Sequence, residues 1–462
     1  MRKATAVIGL GAALAVLVGA WADGGAPAGG TPAPTLAGAE RLISKIDPTW
    51  KRGYLRMSED FKHLACVARE NDTERVVVDG KAGKTYTFVS HLAGNKDASC
   101  IAYYAKDGDK YVLVVNGKES KPYDDVSGVT VSPDGARVAC IVKSGDSSSV
   151  LVDGTVGKGY VFILEDPVFS PNGKRLAYAA EAEGCRRVIL DGQEGKAYTN
   201  IVSETLRFSP DSAHVAYHAV LEGKHLVVVD GQEQKQYADV THDLVFSQDG
   251  KHWAYAAKAG DKAVVVVDGK ESPPYESIIH PPVLTPDGLR VAYGIQVKDK
   301  SLMVVDGKEG APYGGTEAFV FSPDGKRSAY LAQKGPQETA VVCDRKEGKT
   351  YVSVAERSVR FSPDSKHLAY VASGKDGDVV VVDEKEGKAY AEIVGESLTF
   401  SPDGSVVACV AETKDGHAVV IGGKEGARYD EIAPEIYLQP DGSYRYVTVK
   451  DDAFYAIEGK WK

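Results

Sequence analysis

Phe321-Ser322-Pro323-Asp324-Gly325-Lys326-Arg327-Ser328-Ala329-Tyr330 is the stretch that decides the fold. One strand ends, four residues turn, and a second strand begins. Proline presets φ at the second turn position, aspartate bonds its own backbone, and glycine accepts positive φ. The turn serine or its equivalent recurs at Ser58, Ser132, Ser170, Ser209, Ser247, Thr285, Ser322, Ser362, Ser401 and Gln439. From Ser132 onward the steps are 38, 39, 38, 38, 37, 40, 39 and 38 residues. The 74 residues between Ser58 and Ser132 make two periods, and a degenerate copy with Ile101-Ala102-Tyr103 fills the gap. The chain therefore carries eleven copies of about 38 residues, the signature of a repeat architecture.

Each copy has four pieces. A short apolar strand such as Leu398-Thr399-Phe400 runs into the turn. A second strand follows, such as Leu368-Ala369-Tyr370-Val371-Ala372. A wholly apolar run such as Val264 to Val267 comes third and closes on Asp268-Gly269, a hairpin signal. A short segment carrying Tyr198 or Tyr390 is fourth. Four antiparallel strands per repeat predict an all-β fold, a β-propeller of about eleven four-stranded blades, as two tandem rings or one large ring. The last copy, from Ile436 to Lys462, lacks its fourth strand. An unused candidate, Leu42-Ile43-Ser44-Lys45-Ile46, precedes the first copy and is expected to complete the last blade, with Trp50 and Trp461 near the seam.

The N-terminus reads as a targeting segment. Arg2 and Lys3 precede an apolar run from Ala4 to Gly19, and Ala20-Trp21-Ala22 is an A-x-A-like cleavage site. The run is shorter than a membrane span needs. The expected organisation is a signal peptide at 1–22, a Gly/Ala/Pro linker at 23–38 and a propeller array at 39–462. Localisation is expected to be periplasmic or secreted, with no membrane insertion after signal cleavage. A net charge of −10 argues against a nucleic-acid surface, which needs a basic patch. The six cysteines show no CxxC or zinc spacing, and Cys66, Cys140 and Cys409 occupy a slot that holds tyrosine in most copies. They read as buried free thiols.

The repeat resembles that of TolB-type propellers, a WD-repeat-like family. The resembling residues are Phe321 to Arg327 with Ala329-Tyr330, Phe361-Ser362-Pro363-Asp364 with Leu368-Ala369-Tyr370, and Ser170-Pro171-Asn172-Gly173-Lys174-Arg175-Leu176-Ala177-Tyr178. The match spans about residues 50 to 450. The resemblance implies an exported β-propeller that binds proteins or gates a peptidase. This chain departs from the family in its number of blades and in its Asp-Gly-Lys-Glu-Gly hairpin.

No G-x-S-x-G elbow, HExxH, P-loop or dinucleotide fingerprint is present. The recurring aspartates and tyrosines are repeat geometry, and no cofactor or metal is expected. His63, His214, His252 and His367 share a slot with Arg175 and Arg327 and read as a solvated basic position. One set varies. Five residues before the turn serine stand Glu165, Glu204, Glu317 and Glu396, with His242 beside Asp243, and His280, in the same slot. Glu435 is displaced by one, and Arg357 breaks the series. Placed where the chain enters the innermost strand, at a channel mouth, these groups would attract a cation or a basic peptide. Alternatively, the glutamates cap exposed backbone N–H groups. The expected function is a non-catalytic binding module or scaffold for a protein, a peptide or a cell-surface glycan. The alternative is a propeller lyase or glycosidase using the same carboxylates.

Overall fold

A computed structural model describes residues 36–462, apart from the side chains of Arg52, His242 and Asp243. The signal segment and most of the linker lie outside the described residues. Two compact units are present: Asp47–Glu271, and Ser272–Lys462 joined by the N-terminal segment up to Ile46. The first holds blades 1 to 6, spanning residues 50–86, 88–119, 125–160, 162–194, 200–233 and 239–271. The second holds blades 7 to 11, spanning 277–309, 315–351, 353–390, 392–425 and 431–460, the last with the strand Gly38–Lys45. Every sheet is antiparallel, ten of them built from consecutive strands and the eleventh completed by Gly38–Lys45, and the fold is a β-propeller of eleven blades.

The turn works through its serine. Ser322 Oγ donates to Asp324 Oδ1 (2.7 Å) and accepts from Arg327 N (2.9 Å), while Gly325 N closes on Ser322 O (2.8 Å). Ser322 is fully buried, so this network sits where an unmet polar group is costly. At the other hairpin Asp306 and Gly307 have φ of 52° and 72°, the paired positive values of a type I′ turn. Asp306 also reaches the second strand. Its Oδ1 accepts from Val291 N (3.2 Å) and its Oδ2 from Arg290 Nε (2.8 Å). Arg290 goes on to the next blade, donating to Gly325 O (2.7 Å) with its guanidinium 5.2 Å from the Phe321 ring centroid. The shared Arg/His slot is thus paired, not merely solvated. His63, His214 and His252 take the arginine's place on Asp79, Asp230 and Asp268 at 2.9, 2.6 and 2.7 Å, and His367 pairs with Asp383.

Within each unit, successive blades bury apolar faces against each other. Val188 of blade 4 packs with Tyr198, Ile201, Leu206, Phe208 and Leu226. A buried side chain of this size stabilises by about 1.5–3 kcal/mol. At the fourth strand a second link recurs. Tyr237 OH donates to Glu271 of the next blade (2.6 Å), which also meets Lys235 Nζ (2.7 Å). The glutamate of the Asp-Gly-Lys-Glu hairpin is therefore the acceptor for its neighbour's tyrosine. All six cysteines are free, and burial pushes Cys66, Cys140 and Cys409 up to about 12.

The N-terminal strand is longer than the Leu42–Ile46 expected. It spans Gly38–Lys45 and pairs antiparallel with Ala453–Lys460, Gly38 facing Gly459. That glycine pair is forced: a Cβ on Gly38 would lie 2.7 Å from Ile457 Cγ2, and one on Gly459 2.6 Å from the Tyr444 ring. Leu36, in the segment expected as linker, is buried beside Ile432 and Trp461. Glu40 accepts from Tyr429 OH (3.0 Å), filling the position that the hairpin glutamate holds in other blades.

Candidate functional site

First strands adjoin from blade 1 to blade 4 and from blade 7 to blade 9, and the 3₁₀ turns that interrupt those of blades 9 and 10 adjoin each other. None runs uninterrupted. In blades 1, 2, 3, 6, 7 and 8 the strand is continuous but its register shifts midway. In blades 4, 5, 9, 10 and 11 it breaks into two short strands around a loop or a 3₁₀ turn. Such bulges re-aim side chains and end pairing. The variable slot sits at this interruption. Glu317 lies inside Gly315–Phe321, His280 inside Ser277–Leu284, and Glu396 in the turn Gly395–Ser397. The slot is therefore partway along the strand, not at its start, because strand pairing begins two or three residues earlier than the apolar pattern shows.

In the first unit, Glu165 and Glu204 come together: Glu204 N donates to Glu165 Oε2 at 2.6 Å. This is the capping role for one glutamate. Glu165 Oε1 is buried without a hydrogen-bond partner. Burial pushes the Glu165 carboxyl above the ordinary range, against the pull of the Glu204 N–H. Glu204 holds a positive φ of 64° and is exposed. The backbone of His242 pairs with Ala256, while its side chain and that of Asp243 are outside the described residues.

In the second unit, Glu396 forms an ion pair with Arg357 of the preceding blade, so the residue that broke the series partners it. Glu435 is half-buried, Oε2 lacks a hydrogen-bond partner, and burial with the nearby Glu396 charge pushes its carboxyl up. Glu317 is exposed. The His280 ring lies over Gly294, where a Cβ would come within 2.2 Å of Cδ2, and its Nε2 is buried without a partner. Glycine stands at 294 where Ala256 and Leu331 stand in the neighbouring copies, and this was the legible signal that His280 is accommodated.

Capping in blades 5, 9 and 10 belongs to the next residue along. Ser397 Oγ donates to Val394 O (2.6 Å) and accepts from Val410 N (2.8 Å); Thr205 and Ser358 do the same. Sequence reasoning missed a further pair. His91 Nε2 of blade 2 lies 3.8 Å from Asp166 Oδ2 of blade 4. Gly128 of blade 3 permits this, since a Cβ there would sit 2.6 Å from Asp166 Oδ1.

The Ser–His–Asp sets, such as Ser209, His214 and Asp230, lack triad geometry. The hydroxyl donates to Asp211, and its bond to His214 is through the backbone N. Among the described residues no group of three or more His, Cys, Asp or Glu side chains is arranged to hold a metal. Among them, too, no helix is long and apolar enough to cross a membrane.

These features define a β-propeller. No family model matches the sequence, and no curated protein matches it. Solved structures similar in fold include a eukaryotic initiation factor, at 14% identity and TM-score 0.40, covering 73% of this chain and 97% of that one. TolB from Acinetobacter baumannii aligns at 16% identity and TM-score 0.24, over 53% of this chain and 77% of its own. The Cps50 (Swd1) β-propeller domain of Myceliophteria thermophila aligns at 12% identity and TM-score 0.25, over 57% and 99%.

Proposed function

We propose that the chain is an exported, non-catalytic binding module whose first-strand interruptions receive the basic side chains of a protein or peptide. One observation carries this reading: Glu165 and Glu435 are half-buried with an oxygen lacking a partner, whereas the repeated turn residues are hydrogen-bonded. A carboxylate held in that state gains from a cation that supplies the missing donors. Export rests on the basic, apolar and Ala20-Trp21-Ala22 segments of the N-terminus.

The test uses protein recovered from outside the cytoplasm, whose N-terminus the export reading sets at Asp23. Hexalysine is titrated calorimetrically into this protein and into the variant carrying E165Q and E435Q. We expect salt-sensitive binding that weakens by about tenfold or more in the variant. Unchanged affinity together with a lowered melting temperature would make these groups structural caps only.

A second reading is favoured by the contrast between half-buried Glu165 and exposed Asp166, the kind of carboxyl pair that acid–base catalysis requires. It makes the chain a propeller lyase or glycosidase, and a glycan turnover screen in which E165Q matches the parent protein would remove it.

A further inference from the structure

Blade 2 breaks the rules of the array. Its turn is built on Asn95, whose Oδ1 accepts from Cys100 N (2.9 Å) as the serine does elsewhere. Tyr104 stands where other blades place Val67, Ala179, Ala256, Val371 or Val410. Around it the rings of Phe88, His91 and Tyr111 lie at centroid distances of 6.2, 6.3 and 6.2 Å. Phe88 is 36% exposed, and the His91 side chain 39%. Polar groups interleave the rings. Tyr54 OH and Ser90 Oγ are 3.2 Å apart, and Ser90 faces Tyr104 across the strand pair. Asp166 reaches His91 over the bare backbone of Gly128.

An aromatic strip with hydroxyl, imidazole and carboxylate groups along it suits one ligand chemistry. The Tyr104 ring receives the C–H face of a pyranose, and Lys51, whose Nζ lies 4.8 Å from the Phe88 ring centroid, adds a donor for a sugar hydroxyl. Asp166 and the Tyr54 and Ser90 hydroxyls accept or donate to sugar hydroxyls. An extended peptide adding a strand needs a regular free edge instead, and here the first strands of blades 1, 2 and 3 all shift register. We propose that Tyr104, Phe88, His91 and Asp166 form a binding site for a neutral oligosaccharide, which shares Asp166 with the catalytic reading above but needs no turnover.

Tetrasaccharides test it: cellotetraose, chitotetraose and maltotetraose titrated calorimetrically into the mature chain. The expected result is saturable, submillimolar binding of at least one, weakened about tenfold or more by Tyr104→Val and by His91→Gly. Both substitutions copy what other blades hold in the same slots, Val371 and Gly128, so folding is preserved and the melting temperature reports it. Leu289→Ser, on an exposed residue of the second unit, should leave affinity unchanged. No saturable binding by about 10 mM, or binding indifferent to Tyr104→Val, overturns the proposal. So does Tyr104-dependent binding of a proline-rich decapeptide with no tetrasaccharide bound, which would assign the strip to peptides.

Discussion

The two ends of one short segment behave oppositely. At the turn, nine copies place a Ser or Thr hydroxyl on the same two partners: an Asp or Asn two residues on and the N–H five residues on. Five residues upstream, seven of those copies hold Glu, His or Arg while the first and third hold Gly53 and Ser127, and the partners differ from blade to blade. Repetition at the turn follows from geometry, because each copy must solve the same chain reversal. Variation upstream follows from the break in pairing, which frees the side chain from a fixed environment. Residue type alone separates neither place. Both are rich in carboxylates, and only their hydrogen bonding tells structure from opportunity.

Three substitutions would sharpen or break this contrast. The largest effect is expected from Ser401→Ala, which removes the hydroxyl donated to Asp403 and accepted from Val406 N in a buried turn. A loss of about 1–3 kcal/mol should appear in denaturant unfolding. No loss would mean the turn holds without its serine. The next is Glu435→Gln. Burial raises this carboxyl, so the folded chain holds the proton more tightly than the unfolded one. The group's favourable contribution is complete below the unfolded value, about 4.5, and is lost as pH rises through the raised folded value. Glutamine should therefore raise the melting temperature at pH 8 and give a smaller gain at pH 5. An equal gain at both would remove the buried-charge argument. The smallest is Glu396→Gln. Its ion pair with Arg357 joins two side chains that are each more than half exposed, so a change within about 1 kcal/mol is expected in the same unfolding assay.

The period, the turns and the four pieces of each blade were legible because they depend on local spacing. Ser-Pro-Asp-Gly and Asp-Gly need no distant partner to be recognised. The missing fourth strand of the last copy was legible by counting. What escaped depends on neighbours far along the chain. Glu271 stands in a local hairpin, but the hydroxyl that donates to it belongs to Tyr237, 34 residues earlier. The candidate slot was displaced along the strand because a bulge disturbs the alternation by which strands are read. His91 and Asp166 lie in different copies, and the glycine that lets them meet belongs to a third. The irregularity of blade 2, read from sequence as a worn repeat, is where the aromatic side chains gather.

The pairing of Gly38–Lys45 with Ala453–Lys460 also sets an order of events. These are the first and last strands of the described chain, and Arg41 meets Glu458 across 417 residues. Gly38–Lys45 must wait for Ala453–Lys460 before its backbone finds a partner. Other blades assemble from consecutive strands, while the eleventh depends on a closure across the 417 residues that separate Arg41 from Glu458. Until then Ala453–Lys460 presents an open edge. The slowest step in folding should therefore report on Leu36, Glu40 and Trp461, however quickly the intervening repeats form.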